Sequence, residues 1–140
     1  MQLMMNQSQP IQRRVRRGVI GILTQDHRHL VIRRAAGVAK GGCWCFPGGH
    51  VEPGETPRRA IRREFVEELG IDVDPYERLG SVRVLDSRHI LAVWRVRKIG
   101  GTLRPAESEI AEVDWLTGPQ IRTVRPGLPS NHCVLQMLGE

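Results

Sequence analysis

Residues 46–71 read FPGGHVEPGETPRRAIRREFVEELGI: a glycine pair, an acidic turn, then apolar residues recurring at helical spacing among charges. Thr56 offers a side-chain acceptor that can cap a helix. Pro57 suits the first helical position, where a fixed φ and a missing N–H cost nothing. Gly70 supplies the stop, so the pattern predicts a helix from Thr56 to about Leu69. On that helix Glu64, Glu67 and Glu68 stand at i, i+3 and i+4, sharing one face with Cβ atoms only about 5–6 Å apart, a spacing at which like charges repel. Arg58, Arg59, Arg62 and Arg63 offset part of the repulsion, and a solvated, salt-bridged helix is one account of the cluster. A divalent cation explains the crowding better, because hard ions such as Mg2+ take carboxylate oxygens and keep places for water and phosphate oxygens. Gly48 and Gly49 point the same way, since glycine reaches backbone conformations closed to other residues and lets main-chain carbonyls approach a metal or a phosphate.

From Gly49 to Ile71 the sequence resembles the Nudix hydrolase family. It matches the family box of glycine, five residues, glutamate, seven residues, Arg-Glu, an apolar residue, any residue, Glu-Glu, any residue, glycine and an apolar residue. The matching positions are Gly49, Glu55, Arg63, Glu64, Phe65, Glu67, Glu68, Gly70 and Ile71; Phe65 fills a slot usually held by an aliphatic residue. The resemblance implies an α/β fold of the α+β kind, a mixed, curved β-sheet sandwiched between helices. It also implies Mg2+-dependent cleavage, with Mn2+ as substitute, of a diphosphate linkage by water attack at phosphorus. In that chemistry the cation neutralises phosphate charge and activates the water. The implied metal ligands are the Gly49 carbonyl with Glu64, Glu67, Glu68 and Glu109. Arg63 is expected to orient Glu64 through a charge-assisted hydrogen bond, and Glu64 rather than Glu109 to serve as the general base.

Outside the box the sequence is similar to the MutT branch, which hydrolyses oxidised guanine nucleoside triphosphates. RRAA at 33–36 places Arg34 as a phosphate contact, FPGG follows in step, and RHI at 88–90, Glu109 before Trp115 and PSN ending at Asn131 keep the order. The resemblance implies that Arg34, Phe46, Gly48, Arg88 and Asn131 bind substrate. Asn131 would read a purine edge, a task that suits an amide carrying donor and acceptor in one plane, or else cap the last helix. Phe46 would line the base pocket or pack the core. Trp44, Trp94 and Trp115 read as core or pocket wall, His50, His89 and His132 as structural or exposed, and Glu52 as outer-shell charge for the metal. Other substrates remain as alternatives: ADP-ribose, a pyrimidine triphosphate or an RNA cap, or binding of nucleotide or RNA without catalysis. The full glutamate set argues against a pure binder.

The rest of the chain frames this reading. At 140 residues it suits one domain at 13–140 after a flexible tail at 1–12, and its net charge of +6 and pI near 10.2 suit an anionic partner. RRVRRGVIGILT and LVIRRA predict a hairpin about QDHRH, and residues 37–45 a glycine-rich loop. RLGSVRVL and HILAVWRVRKI predict strands, Val113–Leu116 a short strand, and PSNHCVLQMLGE a closing helix. Cys43, Cys45 and Cys133 fit neither a zinc knuckle nor a mutual disulfide and read as reduced thiols. With no membrane span or secretory signal in the sequence, the expected location is the cytoplasm. The expected partner is a nucleotide, with no membrane and no stable nucleic-acid partner, in a monomer or homodimer.

Overall fold

A computed structural model of the chain describes residues 15–84 and 88–140. The expected tail at 1–12, together with Arg13 and Arg14, lies outside the described residues. The chain starts with β1 (Arg16–Gln25) and β2 (Arg28–Arg34), joined at Asp26 and His27, both at positive φ. Two short strands follow, β3 (Trp44–Cys45) and β4 (Gly48–His50), and then α1 (Pro57–Leu69). Two long strands come next, β5 (Ile71–Arg83) and β6 (His89–Gly101), then β7 (Ile110–Leu116), α2 (Gly118–Thr123) and α3 (Ser130–Met137). The strands form a seven-stranded sheet in the order β3-β2-β1-β6-β5, with β4 added to β1 and β7 to β2. β1 runs parallel to β6 from Arg16 opposite His89 to Leu23 opposite Val96, while the other pairings are antiparallel. The mixed sheet with helices on both sides is the architecture expected from the box.

β1 explains the layering. It is buried from Gly18 to Leu23, a central strand that is apolar on both faces. Val19 and Leu23 join α1 residues Ala60, Ile61, Phe65 and Leu69 in one core cluster, and Ile20 and Ile22 join Phe46, Ile121, Val134 and Leu135 in the other. Gly21 lets α1 dock closely, because a Cβ there would stand 2.5 Å from Cε1 of Phe65. α1 begins and ends where the sequence places it: the Thr56 hydroxyl accepts from the Arg59 amide, and Gly70 closes the helix at φ 73, a left-handed conformation cheap only for glycine.

The structure departs from the sequence reading at several elements. β5 starts at Ile71, directly after the helix cap, because Ile71 and Val73 bury against α1 while register shifts between Asp72 and Val73 and between Pro75 and Glu77 absorb the irregular pattern. β7 begins at Ile110 rather than Val113, drawn out by its pairing with β2. α2 is an additional helix, held by a capping box in which the Gln120 amide donates to the Thr117 hydroxyl and the Thr117 amide to the Gln120 side chain. Cys43, Cys45 and Cys133 are free thiols.

Candidate active site

The site assembles where α1 faces β4. Phe65, Ile61 and Leu69 turn inward from α1, which leaves Glu64 and Glu68 at the margin of the buried stripe and Glu67 outside it. Glu64 lies directly against the Gly49 backbone: a Cβ at Gly49 would stand 1.7 Å from Oε2 of Glu64, and one at Gly48 2.0 Å from the Val19 carbonyl oxygen. Neither glycine has a positive φ. The sequence reading is corrected here, because this pair is required for close approach of backbone to strand and carboxylate rather than for unusual dihedrals.

Burial and mutual repulsion shape the carboxylates. Removal from water, then the charges of Glu64 and Glu109, push the Glu68 carboxyl up to about 8, and its protonated form donates to Glu64. Glu64 is raised as well, by burial first, with Arg63 opposing and Glu67 and Glu109 adding to the rise. Oε1 of Glu68 is buried without a hydrogen-bond partner. Glu109 arrives from a distant loop because the last turn of α1 leaves carbonyls free: the Ala106 amide donates to the Glu68 carbonyl at 2.9 Å and the Arg104 amide to the Leu69 carbonyl at 2.7 Å. The Ala35 amide, next to Arg34, donates to the Glu109 carbonyl at 2.9 Å, and the Arg34 guanidinium lowers both Glu68 and Cys45. Burial, the larger effect on Cys45, lifts its thiol to about 11.

Arg63 stands in ion-pair range of Glu64 but makes no hydrogen bond to it. Its Nη1 stands 3.7 Å from the Glu64 carboxylate, beyond hydrogen-bond distance. Its Nε and Nη2 instead donate to both oxygens of Glu55 at 2.7 and 2.9 Å, Nη2 also to the His50 carbonyl at 2.9 Å, and Nη1 to Glu67 at 3.3 Å. The fork geometry of guanidinium on carboxylate favours Glu55, which the loop delivers end-on, over Glu64, which burial turns toward Gly49. The Arg63 guanidinium holds the Glu55 carboxyl down to about 2. Arg63 therefore fastens the glycine strand and the acidic loop to the helix. Glu52, exposed, stands 3.8 Å from Arg63 rather than among the buried carboxylates.

The expected substrate residues separate into two groups. Arg34 adjoins the carboxylates, with Nε donating to the Ala39 carbonyl at 2.6 Å. The Arg88 carbonyl accepts from the Arg16 amide at the edge of β6. Phe46 is 4% exposed and packs in the core behind β1. Asn131 is 3% exposed and lies inside α3, not at its cap; Pro129 holds that place and makes no capping bond. The Asn131 Nδ2 donates to the Trp44 carbonyl at 3.0 Å. Trp44, Trp94 and Trp115 are partly buried against the two cores. His132 is exposed, and the rings of His50 and His89 lie tilted against each other with centroids 5.4 Å apart. The sequence reading passed over His29, which is 2% exposed; its place at the head of the continuous buried run His29–Ile32, next to the apolar LVI, was the signal.

Fold and site define a mixed-sheet protein with crowded carboxylates, one orphaned oxygen and a main chain laid bare by glycine, oxygen donors of the kind a hard divalent cation takes, but among the described residues no three acidic, histidine or cysteine side chains converge on one metal position. The NUDIX domain model matches residues 12–135, and the chain belongs to this family. It is a Nudix hydrolase of the MutT branch. Nudix hydrolases use a divalent metal and act on nucleotide substrates. Among curated relatives, the chain is 36% identical over 100 residues to a MutT-like protein of Streptomyces ambofaciens, covering 71% of this chain and 62% of that protein. It is 33% identical over 110 residues to a Mycobacterium tuberculosis protein named "Putative 8-oxo-dGTP diphosphatase 2", covering 70% of this chain and 78% of the relative. To the CTP pyrophosphohydrolase of Escherichia coli K12 it is 39% identical over 93 residues, covering 65% and 69%. The crystal structure of a MutT NUDIX hydrolase from Burkholderia pseudomallei superposes with a TM-score of 0.81 at 25% identity, covering 89% of this chain and 98% of that one. No helix among the described residues is long and apolar enough to cross a membrane.

Proposed function

We propose that the chain hydrolyses a nucleoside triphosphate to the monophosphate and pyrophosphate with Mg2+, acting on an oxidised purine such as 8-oxo-dGTP. The observation that carries the chemistry is the half-buried Glu64–Glu68 pair, with Glu64 against Gly49, two like charges that are costly to hold side by side without a cation. Mg2+ would be held by the Gly49 carbonyl with Glu64, Glu67, Glu68 and Glu109. When bound it would neutralise the phosphates and lower the pKa of the attacking water. Arg63, through Glu55 and the His50 carbonyl, keeps the strand and helix at fixed separation, so the donors need not reorganise. Arg34 lies where a phosphate oxygen beside the cage would meet a guanidinium. Glu64 takes the proton of the attacking water.

The purine reading rests on Asn131. One N–H is used by Trp44, and the amide oxygen carries no hydrogen bond to any described residue, so it is available to a donor on a base edge. The relative named for 8-oxo-dGTP supports an oxidised purine, and the one named for CTP makes a pyrimidine triphosphate the second reading. The experiment is pyrophosphate release from 8-oxo-dGTP, dGTP, CTP and ADP-ribose with Mg2+, for the wild type and Asn131→Ala. Leaving a base donor unpaired costs about 1–3 kcal/mol, so Asn131→Ala is expected to lose the preference for 8-oxo-dGTP over dGTP and keep its turnover. A wild type that prefers CTP, or equal losses on both guanine nucleotides, overturns the purine reading.

A further inference from the structure

His29 is a buried polar side chain that the hydrolytic chemistry leaves unused. It sits at 2% exposure on β2 with every polar atom engaged. Nε2 faces the Glu140 carboxylate at 3.0 and 3.2 Å, and Nδ1 faces the Thr24 hydroxyl at 2.8 Å. An ionised carboxylate only accepts, so Nε2 carries a hydrogen, and Nδ1 pairs with the Thr24 hydroxyl. The ring is therefore fixed in orientation by groups from two ends of the fold. Its ring also lies tilted against that of Phe46, with centroids 6.1 Å apart.

Glu140 is seated in a prepared notch. Its amide donates to the Leu135 carbonyl at 2.8 Å, and Nη2 of Arg122 donates to its main-chain oxygen. The notch exists because residue 118 is glycine: a Cβ there would stand 2.2 Å from Oε1 of Glu140. Leu135 lies one helical turn after Asn131 on α3, and the Asn131 amide and the Leu128 amide both end on the Trp44 carbonyl. A continuous path of contacts thus runs from Glu140 through α3 to Asn131 and Trp44, and a second one through His29 to Phe46. We propose that His29 and Glu140 form a positioning pair, hydrogen-bonded beside Phe46, which sets the distance between α3 and the Trp44–Phe46 segment and so tunes nucleotide affinity without touching the reacting atoms. The inference rests on the reading of Asn131 as the base contact.

Three variants test it. Glu140→Ala removes the acceptor, Glu140→Gln keeps an oxygen for Nε2–H, and Gly118→Ala expels the carboxylate while improving local helix propensity. Glu140→Ala and Gly118→Ala are expected to raise KM for the best nucleoside triphosphate about three- to tenfold with kcat within about twofold, and Glu140→Gln to restore KM. Hydrogen exchange supplies a readout besides activity. The amides of Trp44 and Leu128, both bonded across this junction, are expected to exchange faster in Glu140→Ala and Gly118→Ala while those of α1 do not change. A lowered melting temperature with unchanged KM, a Glu140→Gln variant as impaired as Glu140→Ala, or unaltered exchange at Trp44 and Leu128 would each overturn the proposal. If the wild type turns over no nucleotide, the base-contact reading fails, and the exchange result alone decides whether the pair positions this junction.

Discussion

At the residue scale, the Glu55–Arg63 pair is the contact with the clearest stability signature. Glu55, ordinarily at 4.5, is held at about 2 by two hydrogen bonds from the guanidinium, so the folded state binds fewer protons than the unfolded chain between those values. Its contribution is therefore complete above pH 4.5 and fades as the pH falls toward 2. Glu55→Gln is expected to lose about 1.5–3 kcal/mol in urea melts at pH 7, with the gap to the wild type reduced by about half at pH 3. A gap that is equal at both pH values would mean that the pair contributes packing alone. The opposite sign is expected at Glu68, where a half-buried carboxyl, kept protonated at neutral pH by desolvation and by Glu64 and Glu109, carries an oxygen without a partner. In the presence of chelator, Glu68→Gln should melt higher than the wild type by about 0.5–2 kcal/mol while turnover with metal collapses, the usual exchange of stability for function at a strained site. A Glu68→Gln protein that is less stable without metal would contradict this account of the cage.

At the element scale, the docking of α1 decides whether the proposed metal donors can come together. Phe65 reaches across to the flat patch at Gly21, and Glu64, its neighbour in sequence, is carried onto Gly49 by the same rigid helix. Gly21→Ala would place a Cβ 2.5 Å from the ring, which the packed core accommodates only by moving the helix. A loss of about 1–3 kcal/mol is expected by thermal or urea melting, with weakened metal affinity because Glu64 and Gly49 part company. Unchanged metal affinity in a destabilised Gly21→Ala protein would show that the cage tolerates helix displacement. The beginning and end of α1 were legible because caps are local: Thr56, Pro57 and Gly70 act within a turn of their own positions. β5 was legible only in its second half. Its first residues owe their strand conformation to burial of Ile71 and Val73 under α1 and to pairing with β6, both of which are non-local.

At the scale of the whole molecule, the folded chain should bind a divalent cation and the unfolded chain should not, since the proposed donors come from β4, α1 and the loop before β7. Adding Mg2+ or Mn2+ at about a hundred times its dissociation constant is expected to add about 2.7 kcal/mol to stability, a rise that Glu64→Gln removes. A melting temperature indifferent to both ions would argue against the cage. Much of this protein was determined by the sequence alone. The helix, its acidic face and the glycine strand ahead of it stand close together in the chain, and short-range sterics, capping and charge repulsion act at that range whatever the rest of the fold does. The partner of Arg63, the inward turn of Asn131 and Phe46, and the seating of Glu140 on His29 were decided by the tertiary structure. Each depends on which distant surface a side chain meets once the sheet has formed, and on burial that removes water as the competing partner. Neither quantity exists in the chain before it folds.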